Sequence, residues 1–308
     1  VTQSRCLITG LRHIGLAVEN FDETVEFYSN IWGLEVVSSE SGLAYLASRV
    51  DPAAYILRLR QTDEKRVDLI ALACANRADL DAFAALLTQQ DVRIDRLPAE
   101  LSTPGGGYGM RFFDCDGRVI EVSADVAERA ATSSGLRGLP ISLSHVVLNT
   151  QDITKTKSFY EEVLGFRLSD WLEDFMCFMR CATTQHHILA FSSGPHASLN
   201  HVAYNVESID SQMRGTGRLM RGGHKVIWGP GRHGAGDNTF SYFIDPAGNI
   251  CEYTSEMEDV DEATWTVRRF ETTDEGQEQW GTGGQPTDHM IPVMFNKPDQ
   301  GLWKSPPV

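Results

Sequence analysis

Apolar and polar positions along this chain follow two periods, one short and one helical, in an order that occurs twice. In LSHVVLN the β-branched run has the spacing of a strand. TQDITKTKSFYEEVLG follows, with Thr or Asp ahead of apolar residues at i, i+3 and i+4 and Gly165 at its end. That pattern predicts a capped helix with Phe159, Tyr160 and Val163 on one face, closed by a glycine able to take the left-handed conformation. FIDPAGNICEY sets Asp-Pro-Ala-Gly between apolar runs and predicts a hairpin. The unit therefore reads as strand, helix, several strands, second helix and final hairpin.

The same unit occupies the first half of the chain. LRHIGLAVENFDETVEFYSNIWGLEVV aligns with LSHVVLNTQDITKTKSFYEEVLGFRLS, matching His13 to His145, Phe27-Tyr28 to Phe159-Tyr160 and Gly33 to Gly165. Further on, FFDCDGRVIEV aligns with YFIDPAGNICEY, matching Asp114 to Asp245, Gly117 to Gly248 and Glu121 to Glu252, and the same alignment sets Asp68 against His201. An internal repeat of this length is the signature of tandem modules. The expected division is an N-terminal module over 1–135, a C-terminal module over 140–258 that carries the chemistry, and an extension over 259–308. A linker rich in small and polar residues, AERAATSSGLRGLP, joins the modules. The extension is acidic, then rich in Gly and Pro, and contains Trp265, Trp280 and Trp303. It is too polar to fold alone, so an arm that docks those rings on the C-terminal module is expected.

A formal charge of −15 argues against nucleic acid or an anionic membrane as partner. No apolar run approaches the roughly 20 residues of a membrane-crossing helix. The six cysteines are scattered without a disulfide framework, and Cys177 and Cys181 lie in an apolar stretch where thiols act as small hydrophobes. A cytoplasmic homo-oligomer is the expectation.

Three strand residues then stand out: His145 in LSHVVLN, His201 in LNHVAYNV and Glu252 in NICEYTS. Alternation puts each on the face of apolar neighbours, where an unpaired ionisable group costs several kcal/mol in order of magnitude. A divalent metal satisfies all three, and two imidazoles with one carboxylate form the facial set of non-haem Fe(II) oxygen chemistry. Singly, each residue would be ordinary: a satisfied core histidine or a solvated glutamate. GPGRHG formally fits a dinucleotide-binding glycine pattern, yet the β-like NTFSYFIDPAGN follows it where a helix is required.

The repeat, with HVVLNT, HHILAF, LNHVAYNV, GRHGAGDNTFSYF and GNICEYTS in this order, resembles the type I extradiol ring-cleavage dioxygenases of the vicinal oxygen chelate superfamily. The resemblance implies an α+β fold of two tandem modules, each of paired βαβββ units forming an incomplete barrel. It implies a metal held by His145, His201 and Glu252, with Fe(II) expected and Mn(II) acceptable. His187, 14 residues before His201, falls at the family's acid/base position, and His233 and Tyr242, nine residues apart, match a His and Tyr that donate hydrogen bonds to substrate oxygens. The neighbouring His186 should face the other way on the strand and be structural. The implied reaction opens the ring of a catechol with O2, and the implied role of the extension is to cover the cavity mouth, with a subunit contact as the alternative. Met176, Phe178 and Met179 suggest an apolar wall for a ring substituent, whereas Arg180 and Arg232 would meet a polar one. His13, Asp68 and Glu121 form a second set on paper, but their module has no counterpart of His187, His233 or Tyr242, so no metal is expected there. His196, His224 and His289 read as exposed. Two rival functions share the fold: a metal-dependent glyoxalase or epimerase, which needs no such His and Tyr set, and a non-enzymatic protein that binds aromatic ligands, which needs no open metal positions.

Overall fold

The computed structural model describes residues 6–131 and 137–307; the centre of the expected linker, 132–136, lies outside them. In the first module the strands are β1 (Ile8–Val18), β2 (Glu35–Glu40), β3 (Leu43–Ala47), β4 (Leu57–Gln61), β5 (Arg66–Cys74), β6 (Ile94–Glu100), β7 (Tyr108–Phe113) and β8 (Val119–Ala124). They form one sheet in the order β2-β3-β4-β1-β5-β8-β7-β6, which curls without closing. Helices α1 (Phe21–Glu26) and α2 (Arg77–Gln89) complete the module, with α1 running on through a wide turn to Trp32.

The second module repeats this plan with β9 (Ser142–Thr150), α3 (Ile153–Glu162), β10 (Arg167–Leu172), β11 (Met176–Arg180), β12 (Leu189–Ser193), β13 (Ser198–Asn205), α4 (Ile209–Arg221), β14 (Trp228–Arg232), β15 (Thr239–Ile244) and β16 (Ile250–Ser255). Its sheet runs β14-β15-β16-β13-β9-β12-β11-β10 and gains a ninth strand, β17 (Arg268–Phe270), contributed by the C-terminal arm. The fold is α+β, two tandem modules of open mixed sheets. Sequence signals for α3 act as expected: the Asp152 side chain accepts from the Lys155 amide at 2.9 Å, and Gly165 stops the chain at φ +73°. Asp245 to Gly248 make the hairpin between β15 and β16.

The repeated Phe-Tyr and hairpin Asp turn out to be a pair exchanged between modules. Tyr28 donates its hydroxyl to Asp245 at 3.0 Å, and Tyr160 donates to Asp114 at 3.1 Å, all four groups buried. Each module's first helix thus satisfies a carboxylate in the other module's last hairpin. Around these bonds one apolar core runs through both modules, with Trp32 stacked on Tyr253 at a centroid separation of 3.9 Å.

The arm wraps the body, and its docking differs in part from expectation. Trp265 seats against His186 and donates to the Ser169 carbonyl, and Trp280 lies under Arg232, both on the C-terminal module. Trp303 instead packs on Phe113 and Gly117 of the N-terminal module, because the last residues cross the module boundary to supply carbonyls of Pro306 and Pro307 to Arg111 and Arg58. Two of the histidines read as exposed are also half-buried: His196 meets the Asn296 carbonyl and His224 packs edge-on against Phe27, while His289 is exposed.

Asp245 is wholly buried, so Tyr28→Phe removes a donor that nothing else in place replaces. It should lower the free energy of unfolding by about 1–3 kcal/mol in urea titrations, whereas Tyr108→Phe, which loses only an exposed bond to Asp81, should leave the midpoint unchanged.

Candidate metal centre

Strand register builds the site. Ala203 on β13 pairs with His145 on β9 to one side and with Glu252 on β16 to the other, so His145, Ala203 and Glu252 form a row across three strands. His201, two residues before Ala203, joins the same face. The small alanine in the middle leaves the space that the three longer side chains enclose. Their ligand atoms lie within 4.8 Å of one another, all buried, with Glu252 Oε2 3.3 Å from both His145 Nε2 and His201 Nε2.

The donor set fits a divalent metal on the evidence of its unsatisfied atoms. His201 Nε2 and Glu252 Oε2 are buried without a hydrogen-bond partner, the arrangement expected of lone pairs kept for an ion. His201 Nδ1 donates to Asn200 Oδ1 at 2.8 Å, which leaves its Nε2 as a lone pair. Asn200 donates to Asn149 Oδ1, and Asn149 donates to the Met294 carbonyl of the arm, so the orientation of both amides is fixed by an atom that can only accept. Ser144 contacts His145 Nδ1 at 3.0 Å. Burial opposes the charge of Glu252, but the His145 and His201 imidazoles outweigh it and hold the carboxyl below its usual range. Burial also lowers His201, which favours the neutral ring a metal needs.

His187, His233 and Tyr242 border the same cavity. Tyr242 donates to His233 Nε2 at 3.0 Å, and His233 Nδ1 donates to the Gln277 carbonyl of the arm at 3.2 Å. The two are therefore a linked pair sharing one mobile O–H, rather than two independent donors. Burial, with Glu252 beside it, raises the Tyr242 phenol well above its ordinary value, so it keeps its proton. Burial, chiefly, pushes His233 down to about 4.

The reading of His186 is corrected. HHILAF is not a continuous strand: β12 begins at Leu189, and the irregular backbone before it turns both rings to one side. His186 Nδ1 and His187 Nδ1 lie 2.8 Å apart, and His186 Nε2 is 2.8 Å from Asp170 Oδ2, which Arg268 also holds. Sequence reasoning missed Asp170, Arg268, Asn149 and Asn200. Only Asn200, next to a ligand in LNH, carried a local signal.

Apolar residues Leu172, Phe175, Met176 and Phe178 form one wall of the cavity, and Pro286 and Met294 of the arm close the other. Met179 points instead into the core. Arg180 is paired with Glu262, and Arg232 with Asp237 and Glu256, so neither reaches the cavity. Among the described residues no Lys or Arg lines it.

The first module uses the same frame differently. Ala71 pairs with His13 and runs beside Glu121, which makes Leu69, not Asp68, the counterpart of His201. The offset of 132 residues between His13 and His145 also relates Leu69 to His201, so Asp68 stands one residue out of step, and the shift in strand pairing beside it recurs at the equivalent place in the second module. Asp68 is bound by Arg58, Arg60 and Arg66, and Glu121 takes Arg111 at 2.9 Å.

Two open-sheet modules and one buried two-His, one-Glu cluster define a metal-site protein built on a duplicated βαβββ frame. The chain belongs to the Glyoxalase/Bleomycin resistance protein/Dioxygenase superfamily, whose family description matches residues 10–122 and 142–253. A solved relative, the Mn(II)-bound glyoxalase from Novosphingobium aromaticivorans, is 41% identical with a TM-score of 0.90, over 97% of this chain and 98% of that one. Metapyrocatechase 2 of Cupriavidus necator is 27% identical over 90% of both chains. The fold is shared with homoprotocatechuate 2,3-dioxygenase from Arthrobacter globiformis, at a TM-score of 0.84 and 22% identity over 97% of this chain and 94% of that one.

Elemental analysis of His145→Ala and Glu252→Ala should find the ion lost, and Glu121→Ala should retain about one per chain. A second expectation concerns acid. His233 is lowered from its ordinary value near 6.5 to about 4, so its neutral burial supports the fold above pH 6.5, and that support is lost as pH falls toward 4. Denaturant midpoints of His233→Gln should fall less steeply across that window than those of the wild type.

Proposed function

We propose that this protein is an extradiol dioxygenase that opens the ring of a catechol bearing an uncharged, apolar substituent. His145, His201 and Glu252 hold one Fe(II) or Mn(II), and His187, His233 and Tyr242 serve the reaction. The observation that carries the reading is the meeting of three buried ligand groups with unsatisfied lone pairs and these three side chains around one cavity.

An ion in this set supplies a Lewis acid and a template for two adjacent hydroxyls and for dioxygen. The chain's own groups do the rest. His187 takes a hydroxyl proton on its free ring nitrogen and returns it later. Burial, with His145 and His186 beside it, holds the ring below the usual imidazole range, so it starts neutral. The Tyr242 hydroxyl, still protonated, can swing its hydrogen from His233 to a substrate oxygen, and His233 holds the phenol in place. Leu172, Phe175 and Phe178 favour an alkyl or aryl group, and a carboxylate would enter with no cation to meet it. The arm excludes water over the cavity through Gly276, Gln277, Pro286 and Met294.

Six free cysteines support a cytoplasmic setting, and Ile209, Met213 and Met220, exposed along one face of α4, support a homo-oligomer. The name of the Novosphingobium relative favours a second reading, metal-dependent isomerisation of the glyoxalase type. That chemistry has no use for a linked His233 and Tyr242 or for His187.

Protein loaded with Fe(II) under anaerobic conditions and then given air should turn alkyl- and aryl-catechols into yellow ring-opened products, faster than carboxylated catechols. His187→Asn should keep its metal and lose turnover by roughly 10²-fold. Isomerisation of a hemithioacetal with no ring cleavage of any catechol would instead select the second reading.

A further inference from the structure

We propose that Asp170 and His186, tied down by Arg268 of the C-terminal arm, are positioning residues that fix the ring and tautomer of His187, so that its Nε2 lone pair faces the metal cavity. The proposal rests on the role given to His187 above.

The argument runs from hydrogen-bond valence. Arg268 can only donate, and it grips Asp170 three ways: Nη2 to Oδ2 at 2.7 Å, Nε to Oδ2 at 3.0 Å and the backbone amide to Oδ1 at 2.8 Å. Its guanidinium lies over the Trp265 ring at 4.4 Å and also meets Glu258, so it is fixed in turn. The Asp170 carboxylate can only accept. His186 Nε2, 2.8 Å away, must therefore carry a hydrogen, and a neutral His186 then has its lone pair on Nδ1. His187 Nδ1 faces that lone pair at 2.8 Å and must supply the hydrogen. What remains on His187 is a bare Nε2. Asp170, His186 and His187 are all buried, so no water can substitute for a missing partner in the chain. Gly236 seals it from above: a Cβ there would stand 3.2 Å from both His186 Nδ1 and His187 Cε1.

One other filling of hydrogens is possible. A doubly protonated His186 would donate from both nitrogens and force the His187 hydrogen onto Nε2, where it could not take a substrate proton. Arg268 is shared between Asp170 and Glu258, so the position of the His187 hydrogen is the observation that separates the two fillings.

Nitrogen-15 NMR of histidine-labelled protein loaded with Zn(II), a diamagnetic stand-in, reads the tautomer without any turnover. His187 should show hydrogen on Nδ1 and none on Nε2. In Asp170→Ala no acceptor faces His186 Nε2, and the Arg268 donors that met Asp170 Oδ2 are left beside it, so the chain reverses and the His187 hydrogen should move to Nε2. With Fe(II), Asp170→Ala should keep its metal and a KM within about twofold, while kcat falls by roughly 10²-fold. In a His187→Asn background the same change should alter residual kcat by less than about twofold, since it acts through a ring no longer present. Hydrogen on His187 Nε2 in the wild type, or losses from Asp170→Ala and His187→Asn that simply multiply, would overturn the proposal. Because the NMR result needs no substrate, it holds or fails separately from the ring-cleavage reading.

Discussion

Glu252 is an ionised carboxylate with no exposure to water, and the second module is arranged around satisfying it. A group in that position costs several kcal/mol in order of magnitude unless positive charge or donors meet it at short range. The sheet meets the demand by register: β13 lies between β9 and β16, with the side chain of least bulk, Ala203, directly beside the carboxylate. Two imidazoles then approach one oxygen from two strands, and Asn238 stands near the other. The first module poses the same problem at Glu121 and solves it with a guanidinium, Arg111. One frame thus gives a metal site where the groups facing the carboxylate are bases and the compensating charge is left to an ion, and an ion pair where the facing group is a permanent cation.

The duplicated frame and the ligand triad are legible in the sequence because they sit on regular strands, where a period of two fixes facing and the repeat fixes alignment. Legibility ends where the backbone becomes irregular. His186 and His187 precede β12, so alternation does not govern them. The match of Asp68 to His201 is a different matter, since it departs by one residue from the offset that relates His13 to His145. Contacts between remote segments were invisible for a different reason. Arg268 reaches Asp170 across 98 residues and Met294 reaches Asn149 across 145, and nothing local at either end points to the other.

The arm, which first reads as too polar to fold, is held in large part through its main chain. Its backbone carbonyls accept from donors that the modules leave pointing outward: Gln277 from His233, Met294 from Asn149, Phe295 from Ser198, and Pro306 and Pro307 from Arg111 and Arg58. The same segment therefore links the closure of the cavity to the alignment of its bases, which explains why few of its residues form helix or strand.

The exchanged Tyr–Asp pairs set a timetable for synthesis. Asp114 waits for Tyr160, 46 residues later, but Tyr28 waits for Asp245, 217 residues later. At about 5–20 residues per second the first gap closes within roughly ten seconds and the second takes about ten to forty. During that interval a first module emerging from the ribosome carries Tyr28 and Trp32 without the second-module surface that later buries them. Until the second module covers it, that aromatic face is the part of the nascent chain most prone to stick to its neighbours.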